Sequence, residues 1–296
     1  MRKADYHYAI GGLRTRSDLV LPGLIPAPAG VADVVIQRGA VAPAADPPPA
    51  PRELMTVDVP GVVRMAMRAG QAITYDPAPD ADMALVALYL GGTGFGALVH
   101  QRGQVVLHAS AVRIGAQVVL FCGASGAGKS TLAAALVQAG HGHVADDFCA
   151  IRFDAAGQPW VAPDGRRHKL WDASVAGLNL ADRRGAQVAA RMDKFFVDPP
   201  AMTMDWAPVG ALIALDQADG APRLEPLRAL DMITLIRANA YRPWLVGAMG
   251  QEGDYFEAAT GIGRACPGYR LSRPMNFGML APTIALIEAA VGANVR

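Results

Sequence analysis

The sequence predicts an α/β protein, and three observations carry that expectation. The apolar run "AQVVLFCG" leads through a glycine-rich turn into the helix-prone "STLAAALVQAG", so a strand gives way to a helix across a phosphate-loop pattern. From about residue 104 onward strand-like and helical runs alternate, the texture of a sheet with helices packed on it. The first third differs, with short β-prone pieces separated by Pro and Gly clusters. At 296 residues, 52% hydrophobic and 18% charged, the chain can bury a sizeable core. Residues 1–80 are expected to form a small, mainly β N-terminal lobe, and residues 81–296 the larger domain.

Within the first lobe, "ADVVIQRG" and "VDVPGVVRMAMRAGQAITY" read as strands, and "VAPAADPPPAPRE" over residues 41–53 is too rich in proline for anything but a loop or linker. Residues 83–99, "MALVALYLGGTGFGALV", are uncharged and close to the lower limit of the ~17–25 residues that cross a bilayer. Gly91, Gly92, Gly94 and Gly96, with no basic cluster directly flanking, favour a buried helix followed by a Gly-rich turn. Next come "VVLHASAV" as a strand, "AQVVLFCG" as a strand buried on both faces, a helix ended by Gly140 and "HVADDFCAIRF" as one more strand. "MDWAPVGALIALDQAD" reads as a loop into a further buried strand, and "LAPTIALIEAAV" as a closing helix.

A formal net charge of +1 gives no reason to expect nucleic acid or an anionic membrane as partner. Cys122, Cys149 and Cys266 are widely spaced and odd in number, which suggests a reducing compartment without a disulfide framework. Cys122 lies in an apolar run and reads as a buried thiol. The N-terminal "MRKADYHYAIGGLRTRSDLV" lacks the apolar centre of a signal peptide, so the expectation is a soluble cytoplasmic protein.

"GASGAGKS" fits G-x-x-x-x-G-K-[ST] with a strand before it and a helix after. Gly123, Ala124, Ser125, Gly126, Ala127 and Gly128 would turn backbone N–H groups toward phosphate oxygens, which glycine permits at close range. The helix start adds partial positive charge. Lys129 supplies a mobile cation, and Lys is scarce among this chain's basic residues; the Ser130 hydroxyl suits magnesium, and Thr131 completes the nucleotide-binding run. A nucleoside triphosphate with magnesium is therefore the expected ligand.

Asp146 and Asp147 follow Lys129 by only one helix and one strand, Asp146 lying 17 residues on. That return places carboxylates beside the phosphates, where one can hold magnesium while the other faces an incoming nucleophile and accepts its proton. His108 stands upstream in "VVLHASAV". A second place for an acidic partner is Asp216, after a distant apolar run.

The order His108, residues 123–130, Gly140–His141 and Ala145–Asp147 resembles the catalytic domain of HPr kinase/phosphorylase and its relatives, over about forty residues. The resemblance implies an HPr-kinase/carboxykinase-like core and an ATP- and magnesium-dependent phosphotransferase acting on a serine hydroxyl of a peptide or protein. It implies Asp146 as base toward the hydroxyl, Asp147 as the magnesium-side carboxylate and His108 beside the transferred phosphate. Thr131 stands where the bifunctional members carry an acidic residue, and Asp172 is the nearest candidate for a further acidic ligand; neither supports phosphorylase activity or HPr as substrate. The front end, "YHYAIGGLRTRSDLVLPGL", looks like HPr-kinase-like proteins that phosphorylate the C-terminal serine of lasso peptide precursors. Relatives with this core form oligomers, so a homo-oligomer is also implied.

Phosphoryl transfer needs cations, and Arg166, Arg167, Lys169, Lys194, Arg270 and Arg273 are candidates; His141 and His143 read as strand-entry residues. Two other readings remain open: a nucleotide-dependent regulatory module in which no phosphate reaches an acceptor, and a small-molecule kinase.

Overall fold

The computed structural model describes residues 5–43, 50–190, 192–200, 202 and 205–293. Residues 41–43 and 50–53 carry neither helix nor strand, as the prolines require; the rest of that expected loop lies outside the described residues.

The chain folds as a mixed α/β protein, with three sheets among the described residues. The first contains β1 (Tyr6–Ile10), β2 (Leu13–Ser17), β3 (Val34–Arg38), β4 (Leu54–Val59), β5 (Val63–Arg68) and β6 (Ala72–Pro77) in the order β1-β2-β3-β6-β5-β4. In β5 the residues Val63, Met65 and Met67 are buried and alternate with more exposed neighbours, the period-2 signature of a sheet packed on one face. That face meets a helical segment made of α1 (Met83–Tyr89), a π-helical stretch Leu90–Gly94 and α2 (Phe95–Gln101).

Here the expectation of a helix followed by a Gly-rich turn is corrected, because the glycines lie inside a continuous helical run. They serve close approach: a Cβ on Gly96 would stand 2.6 Å from Tyr241 Cε1, and one on Gly94 3.2 Å from Met65 Sδ. Residues 83–101 are long and apolar enough to cross a membrane by composition, but 72% of that window is buried inside the protein.

The remaining chain runs through β7 (Val105–Leu107), β8 (Ser110–Ile114), β9 (Gln117–Cys122), α3 (Lys129–Gln138), β10 (Gly142–Asp146), β11 (Cys149–Phe153), β12 (Pro159–Val161), β13 (His168–Trp171) and α4 (Asp172–Gly177). Then follow β14 (Arg184–Ala189), β15 (Met192–Val197), β16 (Ala207–Gln217), β17 (Arg223–Pro226), α5 (Ala229–Ala238), α6 (Pro243–Ala248), α7 (Glu252–Ala265), β18 (Gly268–Arg273) and α8 (Leu280–Ala293). The long β16 holds the main sheet together. Its body pairs in parallel with β9 and β18, while its first residues pair with β12, which continues to β11 and β7. Beyond β9 lie β8 and β10, and β13, β15 and β14 form a separate three-stranded sheet.

Two expected strands are each divided. "VVLHASAV" breaks at His108–Ala109 into β7 and β8, and "HVADDFCAIRF" breaks at Asp147–Phe148 into β10 and β11. β8 pairs with β10 and β7 with β11, so both chains cross between the two arms of the sheet at the same level. Asp147 has φ of +75°, a left-handed conformation that a strand cannot hold. The break turns Asp147 out, while Phe148 enters the core between Phe95 and Tyr241.

Candidate functional site

β9 runs apolar and buried to Cys122, and the chain then turns through residues 123–128 into α3. Gly128 caps the helix at φ of +79°, and a Cβ there would stand 2.7 Å from Arg273 Nη2, so a side chain would be strained and would displace that guanidinium. The same guanidinium, buried at the end of β18, donates to the carbonyls of Ala127 (3.2 Å) and Gly128 (3.4 Å). On the other side the Gly123 N–H donates to Asn239 Oδ1 at 2.9 Å, and the Asn239 carbonyl accepts from the His108 N–H at 2.7 Å. Asn239, at the end of α5, therefore ties the loop to the His108 crossing.

Lys129 folds back over the loop, its Nζ donating to the carbonyls of Gly123 (2.8 Å) and Ala124 (3.2 Å). Burial pulls its pKa below the ordinary lysine value, with Asp147 opposing that shift. Thr131 does not face the loop mouth in hydrogen bonding: its hydroxyl meets Ser174 Oγ at 2.9 Å.

A cleft of about 700 Å³ opens over the loop. Gly123, Ala124, Ser125 and Lys129 form its floor, His108, Asp147 and Lys169 one side, and Tyr241 and Arg242 another. Asp147 is the carboxylate that faces the cleft: its Oδ1 lies 3.7 Å from His108 Nε2 and its Oδ2 3.4 Å from Lys169 Nζ. Burial lowers the His108 imidazole below its ordinary pKa, against the pull of Asp147.

Asp146 sits one layer deeper, 2% exposed. Its carboxylate accepts from Ser110 Oγ (2.7 Å) and the Lys169 N–H (3.3 Å), with His168 Nδ1 at 3.7 Å. Burial pushes this carboxyl up, but His168 and the Ser110 hydroxyl outweigh it and hold it below the usual range. Behind it, Asp164 accepts from the Asp146 N–H (2.7 Å) and the Arg166 N–H (2.9 Å). Burial pushes Asp164 up to about 7 despite those donors and the Arg166 guanidinium 3.8 Å away.

The other sequence candidates separate. Of the cations, Lys169 alone joins the cleft directly and Arg273 braces the loop. Arg166 is buried and donates to the Gly91 carbonyl at 2.6 Å. Arg167 straps the carbonyls of Pro22 (2.6 Å) and Leu24 (2.9 Å) and pairs with Asp198. Lys194 lies over the Trp171 ring, and Arg270 pairs with Asp216, so that aspartate is occupied outside the cleft. Asp172 pairs with Arg184 at 2.8 Å, His141 meets Glu288 at 2.7 Å and His143 is fully buried.

Ser110, Asp164, His168, Asn239, Tyr241 and Arg242 join the site although no motif in the sequence marks them. Only Arg242 carried a signal, as a cation in the helix-opening "YRP" before Pro243. The hard oxygen donors on hand suit magnesium, which keeps waters and phosphate oxygens and needs few protein ligands. Among the described residues no group of three or more His, Cys, Asp or Glu forms a cage of its own.

No protein-family model matches the chain, and no curated protein matches it. Among solved structures it is similar to the Hpr(Ser) kinase/phosphatase from Coxiella burnetii, at 16% identity over 64% of this chain and 88% of that one, with a TM-score of 0.34.

Proposed function

We propose that the protein is an ATP- and magnesium-dependent kinase with a P-loop core that phosphorylates a serine hydroxyl of a peptide or protein. One observation carries the reading: Lys129, His108, Asp147 and Lys169 line a single cleft at the mouth of a glycine-rich loop. ATP supplies the phosphoryl group and magnesium spreads the charge that develops on it.

When the loop binds phosphates, Lys129 exchanges the Gly123 and Ala124 carbonyls for phosphate oxygens. The backbone N–H groups of residues 123–130 and the start of α3 act on the same anion. Ser130 offers its hydroxyl to magnesium. The acceptor oxygen attacks the terminal phosphorus, an O–P bond forms, the bond to the ADP oxygen breaks, and the hydroxyl proton passes to a carboxylate. Because Asp147 faces the cleft and Asp146 is buried with its own donors, we assign that proton to Asp147. His108, neutral and beside it, orients the carboxylate, and Lys169 and Arg242 offset charge on the transferred group. Asp146 holds the Lys169 backbone and the base of the crossing.

The first acceptor to try is a peptide ending in serine, as in a lasso peptide precursor. The test is mass spectrometry of such peptides after incubation with the protein, ATP and magnesium, beside a Lys129→Ala control. A phosphate's added mass that the control lacks is expected. ATP turnover with no modified acceptor would overturn the peptide-serine acceptor in favour of a different substrate or the regulatory module.

A further inference from the structure

A second, more enclosed cavity of about 120 Å³ lies against the cleft and shares Leu88 and Lys169 with it. Its walls come from four separate parts of the chain, one of them the stretch that carries Arg166 and Lys169. Leu21 and Leu24 belong to the first lobe's turn, Ala87 and Leu88 to α1, and Val188 and Phe196 to the β14–β15 hairpin. Leu21, Leu24, Ala87, Val188 and Phe196 are buried, so the lining is a continuation of the core that has been left unfilled.

The walls are held in place. Ile25 N–H donates to the Gly165 carbonyl (2.8 Å), Arg167 N–H donates to the Gly23 carbonyl (3.0 Å), and the Arg167 guanidinium clamps Pro22 and Leu24. Gly23 lies so close to the Phe196 ring that a Cβ would meet Cε1 at 2.8 Å. A small apolar cavity held open by hydrogen bonds is a preformed site, since collapse would break those bonds.

We propose that this cavity is an acceptor subsite that takes one apolar side chain of the peptide whose hydroxyl is phosphorylated; the inference rests on the kinase reading above. Size sets the class of group: a cavity of ~150 Å³ accommodates benzene, so this smaller one, about 120 Å³, fits a leucine-sized side chain or an aromatic ring in part. Position sets its source. Lys169 stands between the cavity and Asp147, 3.4 Å from that carboxylate, so a chain anchored here presents a neighbouring residue's hydroxyl to the cleft. A nucleotide base, larger than one such side chain, does not fit a cavity of about 120 Å³.

The experiment uses the full chain and a set of serine peptides in which Gly, Ala, Leu or Phe occupies each position flanking the serine in turn. The variant Ala186→Trp accompanies it; Ala186 lines the cavity from the exposed first part of β14, where the fold tolerates a larger side chain. At one flanking position Leu or Phe should raise kcat/KM at least about 10-fold over Ala, the scale on which a hydrophobic pocket discriminates by methylene groups. Ala186→Trp should erase that preference, mainly through KM for peptide, and leave the KM for ATP unchanged. Phosphorylation of the whole set without positional preference would overturn the subsite and leave the kinase reading standing. No phosphorylation of any peptide, with ATP still bound, would overturn both.

Discussion

His108 and Asp147 face each other at 3.7 Å where two neighbouring chains cross together from one arm of the main sheet to the other. Each occupies the break between two strands, so neither side chain is committed to a sheet face. The pair stands over the loop that carries Lys129. A crossing of this kind seats the pair rigidly and leaves both side chains part-exposed at the cleft.

Asp147→Asn should abolish phosphoryl transfer, a loss of at least about 100-fold for a general base, while ATP still raises the melting temperature. Asp146→Asn should also lose transfer, but with a lower melting temperature without ligand, because Asp146 is buried among Ser110, His168 and the Lys169 backbone. Activity assays beside thermal melts separate the two. Full activity in Asp147→Asn would remove it as the proton acceptor.

Lys129→Met keeps the aliphatic stem and removes the cation. ATP should bind at least about 10-fold more weakly, a loss of ~1.4 kcal/mol. Stability without ligand should hold, since burial already disfavours the charge. Calorimetric titration of ATP in magnesium, with a melt of the free protein, reads both effects.

Asn239→Ala leaves the Gly123 N–H without its acceptor and frees one side of the loop. An unsatisfied buried donor costs about 1–3 kcal/mol, and because Gly123 is only half-buried its loss falls at the low end. We expect a lower urea midpoint together with weaker ATP binding. A variant that binds ATP normally would show that the Arg273 side of the loop suffices.

His143 makes stability depend on pH. Burial, with His168 beside it, pushes its imidazole down to about 3; unfolded, it titrates near ~6.5. As pH falls below ~6.5 the unfolded chain takes up a proton that the folded one refuses until about 3, so this contribution is full above ~6.5 and is lost on acidification. The slope is about 1.4 kcal/mol per pH unit. Between pH 7 and pH 5 the protein should lose about 2 kcal/mol more than His143→Gln in urea unfolding. Asp164, pushed up to about 7, works with the opposite sign: its contribution is full below ~3.9 and falls as pH rises toward 7. Equal losses in the two proteins would show that His143 is not held neutral.

The sequence by itself determined what is local. The turn over residues 123–128, with Lys129 after it, announces itself because its glycines, cation and helix start are contiguous and their conformational demands are met by neighbours. The alternation in β5 and the apolar run of β9 are legible for the same reason. The close return of Asp146 and Asp147 to the loop could be expected from one helix and one strand.

Only the tertiary structure decided which aspartate faces the cleft, since that depends on a left-handed turn at Asp147 enforced by the strand crossing. Only it recruited Asn239 to Gly123, 116 residues away, and placed Arg273 against Gly128, 145 residues away. It also draws Arg167 and Arg270 away from the cleft by giving them backbone and carboxylate partners elsewhere. An isolated arginine reads the same in sequence whether it meets phosphate, a carbonyl or water. Its role is a property of what long-range packing brings within about 3 Å, and no pattern of neighbours along the chain encodes that distance.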